Sequence, residues 1–272
     1  MIRKITAMYF SATDTTKKIV CKVADKIFRL SNGELVMNKM DFTLLEARKE
    51  AVVFGAEDLV IIGVPVYAGR VPNVLVRYLN TLQGKGALAV AVVLYGNRNY
   101  DDALLELKDI LDADGFQVIA AGAFIGEHSF SRILAKGRPD EEDLVMVSDF
   151  SCQIFKKLRK SEGIRSVKVK GHHPYRNYYT PKDNQGNPVD IRKVKPKTNE
   201  VCIDCKLCVN VCPMGSIDME DVGKINGICI KCGACIKKCP VQAKFFDDID
   251  YLRHKRELEV DYAGRREPEW FV

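Results

Sequence analysis

Eight of the ten cysteines form two copies of one spacing. The copies are Cys202-x2-Cys205-x2-Cys208-x3-Cys212-Pro213 and Cys229-x2-Cys232-x2-Cys235-x3-Cys239-Pro240. Three thiolates spaced two residues apart on a tight loop can bind three irons of one cubane cluster, and the fourth iron needs a ligand from outside that loop. Each closing proline turns the chain away from its cysteine, because proline does not continue a helix. The spacing therefore predicts two 4Fe-4S clusters and one-electron chemistry.

Zinc or disulfides are the alternatives for these cysteines, because paired CxxC units also form four-thiolate zinc sites. A zinc ribbon uses two cysteines in each knuckle and needs neither the third cysteine nor the CxxxCP ending. Small residues near the cysteines allow backbone amides to approach sulfur, namely Gly215, Gly227, Gly233 and Ala234. The pattern favours iron–sulfur clusters.

Residues 197–246 resemble the bacterial dicluster ferredoxins. The resemblance implies a small, pseudo-symmetric α+β domain that carries out low-potential one-electron transfer. It also implies that the fourth cysteine of each run ligates the other cluster. The two ligand sets are then Cys202, Cys205, Cys208 with Cys239, and Cys229, Cys232, Cys235 with Cys212.

The first 160 residues alternate apolar strands with amphipathic helices. Near-continuous apolar runs, as in 59–62 and 89–94, are typical of strands buried on both faces of a parallel sheet. The predicted strands are 2–10, 34–39, 59–64, 87–95 and 117–126, and the predicted helices are 15–30, 44–54, 72–82, 101–114 and 141–160. Five βα units predict an α/β fold with a doubly wound, five-stranded parallel sheet, which binds ligands at the carboxyl ends of its strands.

A hydroxyl-rich loop follows the first predicted strand and opens a helix, with the sequence Ser11, Ala12, Thr13, Asp14, Thr15, Thr16. Backbone N–H groups at a helix N-terminus, together with hydroxyls, form a phosphate site that needs no lysine. The loop resembles the flavodoxin phosphate loop, Ser/Thr-x-Thr-Gly-x-Thr, with Asp14 in place of the glycine. A carboxylate beside phosphate is repulsive, so Asp14 either weakens FMN binding, points outward or caps the helix. An ordinary N-cap is the alternative for the whole loop.

Two further loops at the same edge resemble the flavodoxin loops that surround the isoalloxazine ring of FMN. They contain Pro65, Val66, Tyr67, Ala68 and Gly69 after the third strand, and Tyr95, Gly96, Asn97 and Tyr100 after the fourth. His128 follows the fifth strand, where it either hydrogen-bonds the flavin, relays a proton or is a satisfied loop histidine. The resemblance implies a flavodoxin-like FMN-binding domain over residues 1–160.

A basic, proline-containing segment separates the two predicted domains. Residues 156–197 hold 13 Lys or Arg and three acidic residues, although the net charge of the chain is only +6. We expect 161–196 to be a solvated linker, with docking of an acidic redox partner as the alternative, and 247–272 to be a C-terminal tail. No nucleic-acid motif accompanies the charge, so nucleic-acid binding is not expected.

The chain has no run of 18 apolar residues and no signal-peptide pattern at its N-terminus. Thiolates committed to clusters fit a reducing cell interior better than a secreted disulfide scaffold. We expect a cytoplasmic protein with no membrane association.

The whole chain resembles the flavodoxin and ferredoxin fusion proteins of anaerobes. This resemblance implies an iron–sulfur flavoprotein. Such a protein is an electron-transfer oxidoreductase that moves electrons between low-potential one-electron carriers and FMN through both clusters. A flavin-dependent reductase of a small substrate above Tyr67 and His128 is one alternative, and a flavin-free redox sensor or scaffold is another. A redox protein is the expected donor or acceptor, and the relay operates within one chain or across a homodimer.

Overall fold

The computed structural model describes residues 2–160 and 163–272. Its strands are β1 (Lys4–Tyr9), β2 (Val36–Asp41), β3 (Asp58–Pro65), β4 (Leu88–Tyr95), β5 (Gln117–Ile125), β6 (Lys197–Thr198), β7 (Lys244–Phe245) and β8 (Glu269–Phe271). Its helices are α1 (Thr15–Leu30), α2 (Asn73–Leu79), α3 (Ala103–Ala113), α4 (Glu141–Leu158), α5 (Leu207–Asn210), α6 (Ala234–Lys237) and α7 (Ile249–Asp261). In the described ranges, no helix is both long and apolar enough to cross a bilayer.

The larger sheet has the strand order β2-β1-β3-β4-β5-β8. Its first five strands are all parallel, and their order is that of the flavodoxin-like doubly wound fold. The predicted α/β fold is therefore confirmed. The sheet has a sixth strand, because β8 pairs antiparallel with β5. Three residues of strand are too short to show an alternating pattern, so β8 could not be predicted from periodicity.

Helices cover both faces of this sheet. Strand β4 is buried along its whole length, and its alternate residues enter two separate cores. Val90 and Val92 pack with α1 and α4, whereas Ala91 and Val93 pack with α2 and α3. Burial on both faces explains why this strand reads as a continuous apolar run. The rigid sandwich brings the loops after β1, β3, β4 and β5 to one edge.

The predicted helix at 44–54 is wrong. Only a single 3-10 turn, Glu46–Arg48, forms there. Phe42 and Phe54 are buried at the two ends of the segment, and the Arg48 guanidinium donates to the carbonyl of Pro213, far along the chain. Tertiary contacts hold the segment in an irregular conformation and override its local helix propensity.

The basic segment packs along the larger domain over residues 164–179 and is not a free linker there. The Val167 amide donates to the Val118 carbonyl at 2.8 Å, beside β5. The fully buried carboxylate of Asp102 accepts from the amides of His172 and Arg176 at 3.1 and 2.7 Å. Backbone amides from the segment thus satisfy a carboxylate at the start of α3.

The predicted C-terminal tail is also ordered. Residues 247–272 form α7 and β8. The carboxylate of Glu259 on α7 accepts from the Ser131 hydroxyl at 2.6 Å, and β8 extends the sheet. This segment therefore runs from the small domain back onto the large one.

The small domain is built on two similar halves. The antiparallel pair β6 and β7 closes it, and the short helices α5 and α6 follow the second cysteine of each run. Corresponding residues share left-handed backbone, with φ of 51° at Asp204 and 53° at Lys231, and 58° at Lys206 and 77° at Gly233. The equal cysteine spacings therefore fold into equal loops.

Candidate redox site

Four cysteines surround each of two cavities in the small domain. We call the first the distal cavity; its walls include Cys202, Cys205, Cys208 and Cys239. We call the second the proximal cavity; its walls include Cys212, Cys229, Cys232 and Cys235. In each cavity three cysteines come from one run and the fourth from the other. Folding thus brings together the two crossed-over sets that the resemblance implies.

The surroundings of the thiols fit clusters better than a single metal ion. Within 2–160 and 163–272, no three His, Cys, Asp or Glu side chains converge as ligands of one ion. Burial raises the pKa of Cys232 to about 12 and raises that of Cys235 as well. Buried thiolates therefore need nearby positive charge, which the irons of a cubane cluster supply at its corners.

The loop after β1 presents a row of free backbone donors. Ser11 is already hydrogen-bonded within the protein: its amide donates to the Thr43 hydroxyl at 2.8 Å, and its own hydroxyl accepts from the Lys17 amide at 3.0 Å. The next five amides, residues 12–16, have no hydrogen-bond acceptor among the described residues. Five adjacent unpaired N–H groups at the start of α1 form a nest suited to an anion.

Asp14 occupies the position of the family's glycine in a left-handed conformation, with φ of 67°. It does not cap α1 with its side chain. Its carboxylate forms a 2.9 Å ion pair with Lys238 at the end of α6. The outward orientation is therefore the one observed, and a lysine from the small domain offsets the charge of Asp14.

The loop after β3 makes a tight turn. Tyr67 and Arg70 exchange backbone hydrogen bonds of 3.0 and 3.1 Å across Ala68 and Gly69, which have φ of 52° and 79°. Burial raises the pKa of Tyr67 well above its ordinary value, and the negative charge of the nearby thiols of Cys232 and Cys229 raises it further. Tyr67 belongs to a predicted flavin loop and is near enough to two cluster ligands for their charge to act on its hydroxyl. Pro65 and Val66 lead into the turn and are partly buried.

The loop after β4 contacts both the loop after β5 and the C-terminal segment. Gly96 lies against His128, because an added Cβ would fall 2.5 Å from the imidazole Cδ2. The Asn97 amide is instead held by the C-terminal segment, since it donates to the carbonyls of Tyr262 at 2.6 Å and Gly264 at 2.8 Å. The C-terminal segment therefore positions this loop, which no sequence signal indicated.

Tyr95 and Tyr100 face a separate cleft. Their rings pack with centroids 5.7 Å apart, and the Tyr100 hydroxyl donates to Glu269 on β8. Both tyrosines line a cleft of about 600 Å³ together with Lys170 and Arg266. The two basic residues come from segments that were predicted to be linker and tail, so sequence reasoning missed them.

His128 is held as a neutral hydrogen-bond donor. Its Nδ1 accepts from the Phe130 amide at 3.1 Å, which leaves the proton on Nε2. Burial lowers the pKa of His128 to about 3, and the nearby charge of Lys237 adds to the shift. A proton relay through this imidazole near neutral pH is therefore disfavoured.

Helix α6 joins the proximal cavity to the predicted flavin loops. Lys237 pairs with Glu127 in the loop after β5 at 3.1 Å, next to the Lys238 pair with the loop after β1. Gly233, at the start of α6, lies so close to this loop that a Cβ would be 2.5 Å from the Ser129 carbonyl oxygen. The proximal cavity therefore abuts the carboxyl edge of the sheet.

Residues 201–243 match the family model of the 4Fe-4S dicluster domain. This match confirms the prediction of two 4Fe-4S clusters, and it supports redox electron transfer as the general function of this part of the chain.

Solved structures similar to the chain include a flavodoxin of Streptococcus pneumonia TIGR4, with 18% identity over 57% of this chain and 99% of that one and a TM-score of 0.40. An archaeal flavodoxin has 15% identity over 58% and 99%, also at 0.40. An NADH:FMN oxidoreductase in its apo form has 16% identity over 60% and 94%, again at 0.40. These values are low, and the flavodoxin-like assignment rests on the strand order.

Proposed function

We propose that the chain is an iron–sulfur flavoprotein that transfers electrons between one-electron carriers and FMN through its two clusters. The observation that carries this proposal is the contact of the proximal cavity wall and the adjoining helix α6 with the loops after β5 and β1. Gly233 packs on Ser129 in the loop after β5, and Lys237 and Lys238 pair with Glu127 and Asp14 in the loops after β5 and β1. Short separation between two redox centres is what a relay needs, and fusion in one chain keeps it fixed.

FMN is the flavin that fits the loop after β1. Five free amides at the N-terminus of a 16-residue helix bind a terminal monophosphate through hydrogen bonds and the helix dipole. Ser11 is already bonded and shapes the loop, and Lys238 offsets the charge of Asp14. The bound flavin would supply an acceptor for one or two electrons. His128 would offer a neutral N–H donor beside Gly96.

The distal cavity is the proposed port for an external redox protein. Cys205 is exposed, and Val201 and Ile203 beside it are 52% and 62% exposed. Exposed acidic residues near this patch, Glu200, Asp204, Glu220 and Asp221, outnumber the neighbouring lysines, Lys206 and Lys224. Apolar contact inside an acidic rim suits a partner whose redox centre has a basic rim.

The first test is the identity of the flavin. Protein purified anaerobically should release FMN, because the loop after β1 recognises a terminal monophosphate. FAD or riboflavin in its place would contradict the assignment of the phosphate loop. Protein with both clusters and no flavin would favour the flavin-free sensor.

The second test is the relay itself. After rapid mixing with titanium(III) citrate, cluster bleaching should precede flavin reduction, and the rate of flavin reduction should not depend on protein concentration. A rate proportional to protein concentration would show transfer between separate molecules. A concentration-independent rate in a sample that chromatographs as a dimer would place the relay within a chain or across that dimer.

A flavin-dependent reductase of a small anion is the second candidate, and the cleft beside Tyr95 favours it. Arg266 lines this cleft and forms no ion pair with any described residue. The volume, about 600 Å³, is within the range of small-molecule sites. Turnover that depends on an added organic anion, and that falls in Arg266→Gln, would support the reductase over pure electron transfer.

A further inference from the structure

The two halves of the small domain differ at the buried position five residues after the closing cysteine. Ile217 stands five residues after Cys212 and lines the proximal cavity, whereas Lys244 stands five residues after Cys239 and lines the distal cavity. The amide just before each of these residues donates to the sulfur of its closing cysteine, at 3.4 Å and 3.2 Å. The two positions are therefore structurally equivalent, and a lysine replaces an isoleucine.

Lys244 is unusual because its side chain is almost completely buried. The residue is 3% exposed, compared with 6% for Ile217. Its ammonium donates to the carbonyl of Val222, which also lines the distal cavity. In the described part of the chain no carboxylate lies within ion-pair distance of this ammonium. A buried cation without a carboxylate is costly unless another negative charge lies nearby.

The thiols of the clusters are the source of that negative charge. Lys244 lines the distal cavity together with Cys202, Cys205, Cys208 and Cys239. A cluster ligated by four thiolates is anionic, and its reduction adds one more negative charge. A cation fixed in a water-poor wall stabilises that added charge much more than a solvated one does.

We propose that Lys244 raises the reduction potential of the distal cluster and so favours capture of an electron at the distal port. The proposal rests on the dicluster assignment and on the distal cavity, and it is independent of whether the chain binds FMN. Lys244 acts through its charge and does not ligate iron.

The proximal cavity also has a buried lysine, so the potentials of the two clusters do not by themselves show the effect of Lys244. Lys231 lines the proximal cavity, and its ammonium donates to the carbonyls of Arg192 and Cys229 at 2.9 Å each. Its equivalent in the other half is the exposed Asp204. Each cavity thus has one buried lysine, but from a different position of the repeat. The effect of Lys244 is therefore measured as the change in one cluster and not as a difference between the two.

The test is redox titration of the holoprotein followed by electron paramagnetic resonance. Lys244→Met keeps most of the side-chain volume and removes the charge. We expect the distal cluster to become harder to reduce, with its reduced-to-oxidised ratio at a fixed potential falling at least ten-fold, equivalent to a shift of about −59 mV for one electron. The proximal cluster should shift less in the same direction. Cys205→Ser changes a ligand of the distal cluster only and identifies its signal.

Two controls separate charge from structure. Lys244→Arg should keep the potential near that of the native protein, and Lys224→Met should leave it unchanged, because Lys224 is an exposed lysine of the same domain. If Lys244→Met does not retain both clusters, Ile217→Lys tests the same idea in reverse and should raise the potential of the proximal cluster. Unchanged potentials in Lys244→Met, or an equal shift in Lys224→Met, would overturn the proposal and leave Lys244 as a structural hydrogen-bond donor to Val222.

Discussion

The two halves of the small domain share one cysteine spacing and face opposite surroundings. The half with the second run, 229–240, is embedded in the molecule: Ile230 and Cys232 pack against the core of the large domain, and Ala234 belongs to that core. The half with the first run, 202–213, leaves Cys205 and Ile203 exposed. Identical ligand chemistry is thus placed once against the predicted flavin loops and once at the surface.

Single residues around the cysteines account for this difference. At the left-handed position before each short helix, the inward half has Gly233 and the outward half has Lys206. Only glycine allows the backbone to approach Ser129 so closely. The comparison shows that the residues between the cysteines, and not the cysteines themselves, decide which half of the repeat packs against the large domain.

Loss of a crossed-over ligand should have the largest effect and most directly tests the comparison. We expect Cys212→Ala to lose the proximal cluster and Cys239→Ala to lose the distal one, because each cysteine lines the cavity of the opposite run. Each variant should retain about half of the iron. Only Cys212→Ala should also abolish electron transfer from the remaining cluster to the flavin, as measured by rapid mixing.

Iron analysis alone does not distinguish the two clusters, so spectra of both variants are compared under partial reduction. If Cys212→Ala instead loses the cluster bound by Cys202, Cys205 and Cys208, the fourth ligands do not cross over.

Replacement of the glycine at the domain contact should have the next largest effect. Gly233→Ala should lower the free energy of unfolding by about 1–2 kcal/mol, because alanine is strained in the left-handed conformation of this position. The clash of the added Cβ with the Ser129 carbonyl should lower it further. Flavin reduction should slow because the proximal cavity moves away from the loop. Lys206→Ala is the matched control, since it has the same backbone conformation at the outward half. Melting temperature and rapid mixing measure both effects, and equal losses in the two variants would contradict the proposed contact.

Removal of the charge at the phosphate loop should have a smaller effect. Asp14→Gly and Asp14→Asn should both tighten FMN binding, by up to about 1 kcal/mol, because Lys238 loses its carboxylate partner and its unpaired positive charge then attracts the phosphate. The Asp14–Lys238 pair is largely exposed and contributes about 0–1 kcal/mol to domain contact. Titration of apo-flavin protein with FMN gives the affinity. Weaker binding in both variants would indicate that the ion pair shapes the loop.

Of these changes, a change in pH should have the smallest effect on the rate of flavin reduction. Because the pKa of His128 is lowered from 6.5 to about 3, its imidazole stays neutral as the pH falls from 8 to 5. The rate of flavin reduction should therefore show no break from this residue over that range. A break near pH 6.5 that disappears in His128→Gln would show that the imidazole titrates. On the unfolded chain the imidazole takes up a proton below pH 6.5, so the stability due to neutral His128 is lost as the pH falls towards 3.

Local patterns in the sequence predicted the strands and most helices of the large domain. The continuous apolar run of β4 predicted its burial on both faces, and the alternation of βα units predicted the parallel sheet. The helix predicted at 44–54 failed because Arg48 contacts Pro213, a residue 165 positions away. Periodicity reports only the neighbours of a residue in sequence, so a distant partner leaves no trace in it.

The sequence by itself determined the cofactor chemistry of the small domain, because cluster ligation depends on thiolates at short spacings within one loop. Tertiary structure decided which cluster faces the predicted flavin site and which faces the surface. It also paired Asp14 with Lys238, placed Lys244 in the distal wall, packed residues 164–179 against the large domain and added β8 to the sheet. These outcomes depend on contacts between residues far apart in the chain, and such contacts are formed by packing and not by spacing.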